Sequence, residues 1–203
     1  SYLEIGLSHN PLAPYRMIDI ENKTSIDMDK TTEPDYLMSS DVFFNRLKKG
    51  KTEFAADHKW DAIFIDGDHM APQVYKDLCN SFDHLTDKGI IFMHDVLPWS
   101  YYMTIESPVG PTPATCQDAW KVLEYCLKYR EDMNVCTIEE NGGGLGVITK
   151  NLGSVRPMLP KEHNQFFQYK EYEKNKTVNM NTIKQDYIFD WIKDPTYNYD
   201  DEI

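Results

Sequence analysis

Ala62-Ile63-Phe64-Ile65-Asp66-Gly67-Asp68-His69 is the stretch that decides the fold. Four apolar residues in a row, three of them β-branched or aromatic, make a short strand buried on both faces, as in a parallel sheet. The run then stops abruptly on an acid, a glycine, a second acid and a histidine. A helix follows, with Pro72 in its first turn and Val74, Tyr75, Leu78, Phe82 and Leu85 at helical spacing. Lys88-Gly89 is expected to close that helix. Ile90-Ile91-Phe92-Met93 then repeats the strand and again runs out into polar residues, His94-Asp95.

Working outward, the same unit recurs. Tyr2-Leu3-Glu4-Ile5-Gly6 is a strand that ends in glycine, and Thr24-Ser25-Ile26-Asp27 is one that ends in an acid. Tyr36-Leu37-Met38 is a third, followed by Ser39-Ser40-Asp41, which is a helix-start signal. That helix carries Phe43, Phe44 and Leu47 up to Gly50. Beyond a proline-rich loop over residues 97–115, Ala119, Val122, Leu123, Cys126 and Leu127 mark another helix. Val135-Cys136-Thr137-Ile138 and Leu145-Gly146-Val147-Ile148-Thr149 form a hairpin around Asn141-Gly142-Gly143-Gly144, glycines read as a turn. Strand-helix alternation of this kind predicts an α/β, Rossmann-like, doubly wound sheet, mostly parallel and seven-stranded, with a C-terminal antiparallel hairpin. Such sheets bind ligands at the carboxyl ends of their strands. The rule places Gly6, Asp27, Ser39, Asp66 and Asp95 along one edge.

Composition narrows the ligand. The chain has 33 acidic against 21 basic residues and a net charge of -12, which opposes nucleic-acid binding, where phosphate neutralisation supplies most of the affinity. No apolar run approaches the ~20 residues of a membrane-spanning helix. Cys79, Cys116, Cys126 and Cys136 form no CxxC pair, so they read as buried thiols of a reducing compartment, the cytoplasm. A dinucleotide fingerprint needs three spaced glycines after the first strand, and here those positions hold Gly6, Ser8 and Pro11. A cofactor without a pyrophosphate needs less: one glycine turn, an acid at the end of the second strand for ribose hydroxyls, and a polar residue after the third near the adenine.

At these residues the sequence resembles the class I S-adenosylmethionine-dependent methyltransferases. Glu4-Ile5-Gly6 is similar to their first motif and Ser25-Ile26-Asp27 to their ribose-binding strand end. The runs from Tyr36 to Phe44, from Phe64 to His69 and from Gly89 to Asp95 resemble one subgroup, as do Asp118-Ala119-Trp120-Lys121 and Gly144-Leu145-Gly146-Val147-Ile148. That subgroup comprises small, glycan-associated enzymes related to the macrolide-sugar O-methyltransferases. The likeness spans residues 2–150 and implies S-adenosyl-L-methionine held by Glu4, Gly6, Ser8, Asp27, Ser39, Ser40, Asp41 and Asp66. The loop departs from the pattern in reading Gly6-Leu7-Ser8-His9-Asn10, with no second glycine. His9 is expected near the cofactor, and Asp29 is the alternative ribose acid.

Methyl transfer to a sugar hydroxyl needs alignment and removal of a proton from a poor nucleophile. Asp66 and Asp95 end strands expected to be neighbours, about 4.8 Å apart, close enough to share a hard cation such as Mg²⁺. In the macrolide-sugar enzymes the resembling positions are metal ligands, which assigns the metal to Asp66 and Asp95, with Asp68 as a third donor. His69 is the expected general base, with Asp66 and His94 as further catalytic residues. Trp99, Tyr101 and Tyr102 are placed to stack on a sugar ring or to cover the core. His58, His84 and His163 read as surface.

The expected organisation is a methyltransferase domain over residues 1–150 and a polar extension over 151–203, in which Ile183, Tyr187, Ile188 and Trp191 form one amphipathic helix. Because the chain opens directly on the first strand, it is expected to belong to a larger polypeptide that also carries glycosyltransferase domains. The expected function is O-methylation of a sugar or glycan hydroxyl, assisted by metal. The alternatives are a non-catalytic Rossmann-like module of a larger glycan-modifying protein, or a methyltransferase acting on a phenolic small molecule.

Overall fold

The computed structural model describes residues 1–105, 116–139, 143–153, 169, 172–173 and 180–195. They divide into two compact units, Ser1–Asp68 with Pro72–Phe92, and His69–Ala71 with Met93–Ile203.

The first unit contains β1 (Tyr2–Ile5), α1 (Pro14–Met17), β2 (Lys23–Asp27), β3 (Tyr36–Leu37), α2 (Ser40–Lys48) and β4 (Trp60–Ile65), then most of α3 (Ala71–Asp83) and of β5 (Leu85–His94). Its strands lie in the order β3-β2-β1-β4-β5. β1 runs parallel to β2 and to β4, with Ile5 opposite both Ile26 and Ile65. This register makes the three strands end level, so that Gly6, Asp27 and Asp66 emerge side by side. The strands are apolar because they are covered, and Leu3, Ile26 and Ile63 are fully buried. From α2, Phe43, Phe44 and Leu47 insert into this core, each contributing about 1.5–3 kcal/mol by leaving water.

The second unit contains α4 (Trp120–Tyr129), β6 (Met133–Ile138), β7 (Leu145–Lys150), β8 (Thr182–Ile183) and α5 (Ile188–Lys193). Its strands lie in the order β7-β6-β8. β6 and β7 are the expected antiparallel pair, with Ile138 opposite Leu145. Residues 141 and 142 of the connecting turn lie outside the described residues.

The class expected from the sequence is found: an α/β, Rossmann-like, mostly parallel arrangement. Among the described residues it has eight strands rather than seven. The extra one is β8, which pairs parallel with β6 at Thr137 and Ile138. The single helix expected in the tail is therefore three pieces: β8, a 3-10 turn over Gln185–Tyr187, and α5. Thr182 and Ile183 are β-branched and find a strand to pair with, and Asn181, at φ +47°, turns the chain into it.

Two further expectations are corrected. The helix expected to run to Gly89 stops at Asp83, and Leu85, Lys88 and Gly89 already belong to β5. His84 is buried instead of lying on the surface. Its carbonyl accepts the N–H of Trp60 at 2.8 Å, its Nδ1 lies 2.8 Å from the His58 carbonyl, and its ring stacks on Phe44. Those contacts pull the chain out of the helix one turn early. His163 lies outside the described residues.

Candidate active site

At the carboxyl ends of β1, β2 and β4 the first unit opens a cleft of about 480 Å³. Gly6 makes its floor possible. Its φ is +85°, and a Cβ there would fall 2.2 Å from the Asp66 carbonyl oxygen. Backbone therefore passes close to backbone where any side chain would block the way. Leu7 turns its N–H onto Asp27 Oδ2 at 2.6 Å, and the N–H of Asp29 is accepted by Asp27 Oδ1 at 2.7 Å. Each carboxylate oxygen keeps a further lone pair, so Asp27 is oriented by the backbone and still able to accept from a ligand hydroxyl. Ser8, by contrast, has no positive φ and does not line the cleft. Its hydroxyl accepts the N–H of Asn10 at 3.1 Å. A serine serves at this position because the chain there needs no left-handed residue.

Of the residues expected to hold the cofactor, Gly6, Asp27, Ser39, Ser40, Asp41 and Asp66 line this cleft together with Asp68. Ser39 caps α2, its hydroxyl accepting the N–H of Val42 at 3.4 Å. Ser40 donates to the buried Asp77 at 2.5 Å, and both residues border the cleft. Asp41 faces Lys76 at 3.4 Å. Glu4 is buried, accepts from the Tyr2 hydroxyl and is not a lining residue. Burial pushes its carboxyl up to about 7.

Several contributors carry weaker sequence signals. Met28 and Met38 give the cleft apolar walls. Asp77, with its carboxyl raised to about 6 by burial, braces Ser40 and accepts from Gln73 at 3.1 Å. Its place on the inner face of α3, between Val74 and Leu78, is the signal that an acid there has a structural partner. His9 lies beside Asp29 at 3.5 Å and Thr31 at 3.3 Å and lines the cleft.

The second unit holds the other group. Asp95 is buried and adopts φ +55°. His69 Nε2 lies 3.7 Å from its Oδ2, and His94 Nδ1 lies 3.6 Å from its Oδ1. Asp118 fixes the segment bearing His69, accepting the N–H of Ala71 at 2.6 Å while its own N–H reaches the His69 carbonyl at 3.3 Å. The glycines first read as a simple turn do more than turn. A Cβ on Gly143 would lie 2.2 Å from Asp95 Oδ1, and one on Gly144 would lie 2.4 Å from Leu97 Cβ. They let the hairpin close over the strand exit, where Leu97 donates to the Gly143 carbonyl at 2.5 Å. Burial, reinforced by the charge of Asp95, pushes the Cys116 thiol beside it up to about 12.

Residues 26–96 match the family model of a methyltransferase domain. The methyltransferase match contains Asp27, Ser39, Ser40, Asp41, Asp66, His69, His94 and Asp95. Solved structures give weaker likenesses. A protein from Corynebacterium glutamicum is 18% identical over 75% of this chain and 73% of its own, with a TM-score of 0.49. The O-methyltransferase TomG of Streptomyces achromogenes, involved in tomaymycin synthesis and solved with S-adenosylmethionine, is 13% identical over 74% and 72%, with a TM-score of 0.46. The mycinamycin-pathway methyltransferase MycE, solved with Mg and S-adenosylhomocysteine, is 16% identical over 76% and 46%, with a TM-score of 0.44. None of the curated proteins matches the sequence. No helix among the described residues is long and apolar enough to cross a membrane.

Proposed function

We propose that the chain is an S-adenosylmethionine-dependent O-methyltransferase acting on a hydroxyl of a sugar or glycan, assisted by a divalent cation. One observation carries the cofactor reading: the glycine turn at Gly6 and the doubly anchored carboxylate of Asp27 border one cleft. Adenosine presents two ribose hydroxyls and an apolar base, and this cleft offers an acceptor carboxylate and methionine walls. Its lining residues are rich in aspartates and include neither lysine nor arginine, which suits a cationic sulfonium nucleoside better than a dinucleotide pyrophosphate.

For the second half of the reaction, the donor chemistry around Asp95 fits a metal. Asp95, a buried carboxylate at a strand exit, is a hard oxygen donor suited to a divalent ion such as Mg²⁺. We assign Asp95 and Asp66 as ligands, as their strand-end positions suggest. Such an ion would lower the pKa of a coordinated hydroxyl, and His69 would take the proton. The four free cysteines suit a reducing compartment, and we place the protein in the cytoplasm.

The test is calorimetric titration with S-adenosylmethionine and S-adenosylhomocysteine, with NAD as control and with Mg²⁺ present or absent. Micromolar binding of the adenosyl ligands alone, weakened by Asp27→Ala, is the expected result. No binding at millimolar ligand would overturn the enzyme reading and favour a non-catalytic module.

A further inference from the structure

The second unit has a groove of its own, about 730 Å³ in volume. Its wall is a row of aromatics that folding has left in water: Trp99 is 68% exposed, Tyr101 58% and Tyr102 77%. Rings this large are ordinarily drawn into the core, and three exposed within four residues offer flat faces on which a ligand can stack. The turn that carries two of the rings is anchored. The 3-10 turn Tyr101–Thr104 is anchored by the buried Met103, whose carbonyl accepts the N–H of Gln117 at 2.7 Å. Thr104 Oγ1 donates to the Tyr101 carbonyl at 2.7 Å. Tyr101 is held edge-on by Tyr102 at 6.4 Å and by Tyr169 at 5.9 Å. Tyr101 and Tyr102 are therefore braced without being covered.

The groove is not only apolar. Lys121 and Glu173 line it, a donor and an acceptor of opposite charge, and Lys121 is steadied by Asp118 at 3.4 Å and by the Trp120 ring at 5.7 Å. Aromatic faces with hydrogen-bonding groups at the margin match one class of small molecule: a pyranose, with an apolar C–H face and a rim of hydroxyls. A flat phenol would be better served by a slot covering both its faces. An anionic ligand would meet Glu173 and a chain of net charge -12. The volume lies within the ~300–1,000 Å³ of ordinary ligand pockets and exceeds the needs of a single sugar ring.

We infer that this groove is the acceptor subsite and that it takes the end of a neutral oligosaccharide, rings stacked on Trp99, Tyr101 and Tyr102 and hydroxyls bonded to Lys121 and Glu173. The inference rests on the methyl-transfer reading for the groove's purpose, but its occupant can be tested separately. Trp60, Trp120 and Trp191 are each 1% exposed, so iodide quenching of tryptophan emission reports on Trp99. The probes are cellotriose, maltotriose, mannotriose and chitotriose, with sorbitol and catechol as controls.

Protection of Trp99 by at least one trisaccharide, with sorbitol and catechol inert, is expected. Tyr101→Ala and Tyr102→Ala should weaken that binding about tenfold, while S-adenosylhomocysteine binding, read by calorimetry, shows that both variants are folded. Binding of S-adenosylhomocysteine with no trisaccharide bound would overturn this inference and leave the methyl-transfer reading standing. Saccharide binding without any adenosyl binding would do the reverse. Catechol protecting Trp99 in place of the sugars would make the acceptor a phenol and overturn the inference.

Discussion

A Cβ built on Gly6 lands 2.2 Å from the carbonyl oxygen of Asp66, so the ends of β1 and β4 approach as closely as backbone allows. Gly6→Ala brings two penalties together, a side chain at φ +85° and a collision with main chain that cannot rotate away. The expected loss is about 2–5 kcal/mol of stability, seen as a lowered Tm, together with loss of S-adenosylhomocysteine binding in calorimetry. Ser8→Gly, two residues on, should lower Tm by only about 2–4 °C, from the lost bond to the Asn10 N–H and the freer unfolded chain, since Ser8 sits in ordinary backbone space.

Asp27 separates a binding role from a structural one. Its two oxygens each accept a backbone N–H, from Leu7 and from Asp29. Asp27→Asn keeps one acceptor and should weaken adenosyl binding about tenfold. Asp27→Ala frees both N–H groups and should weaken it by a hundredfold or more, at about 1–3 kcal/mol per lost charge-assisted bond. Parallel thermal unfolding of both variants distinguishes lost binding from lost folding.

Buried carboxyls set the pH dependence of stability. In the folded protein burial raises Glu4 from 4.5 to about 7 and Glu124 from 4.5 to about 8. Between those values the folded protein keeps protons that the unfolded chain has released, so stability falls as pH rises through the window and levels off above it. Denaturant titrations should show a protein less stable at pH 8.5 than at pH 5, with Glu4 alone contributing on the order of 3 kcal/mol. Glu4→Gln should flatten the lower part of the profile and Glu124→Gln the upper part.

The closeness of Gly143 to Asp95 gives a test of the metal reading. Gly143→Ala would push against Asp95 Oδ1. Methyl transfer should fall at least tenfold, with adenosyl affinity unchanged. In the unaltered protein, EDTA should abolish turnover and added Mg²⁺ restore it. Turnover indifferent to EDTA would remove the metal from the reaction.

How much of this was legible in the sequence follows from the range of the interactions. The run from Ala62 to His69 announces its strand and polar exit because both are local, and the strand-end rule carries Gly6, Asp27 and Asp66 to one edge. The end of α3 is not legible. Phe82 and Leu85 keep helical spacing, and it is Trp60, paired with the His84 carbonyl 24 residues on, that redirects the chain. Ser40 reads as a helix cap or an adenine contact, whereas its partner Asp77 is 37 residues away and leaves no mark near it. Asp95 at a strand exit is plain to see; that two glycines some fifty residues later make room for it is not. In the tail, Ile183 and Trp191 fit a helical stripe, and only the unpaired side of β6 turns the first into strand.

That short pairing bears on where the chain can be cut. β6 is buried along all six of its residues. Beyond β8, its outer side is secured by Asn181, which donates to the Val135 carbonyl at 2.9 Å, and by Thr137, which donates to the Met180 carbonyl at 2.9 Å. A polypeptide ending at Lys150 would retain every residue of the methyltransferase match, yet would present an apolar, unpaired ribbon to its neighbours. Trimming the polar tail to obtain a minimal enzyme should therefore yield inclusion bodies, while a chain carried through Trp191 stays in solution.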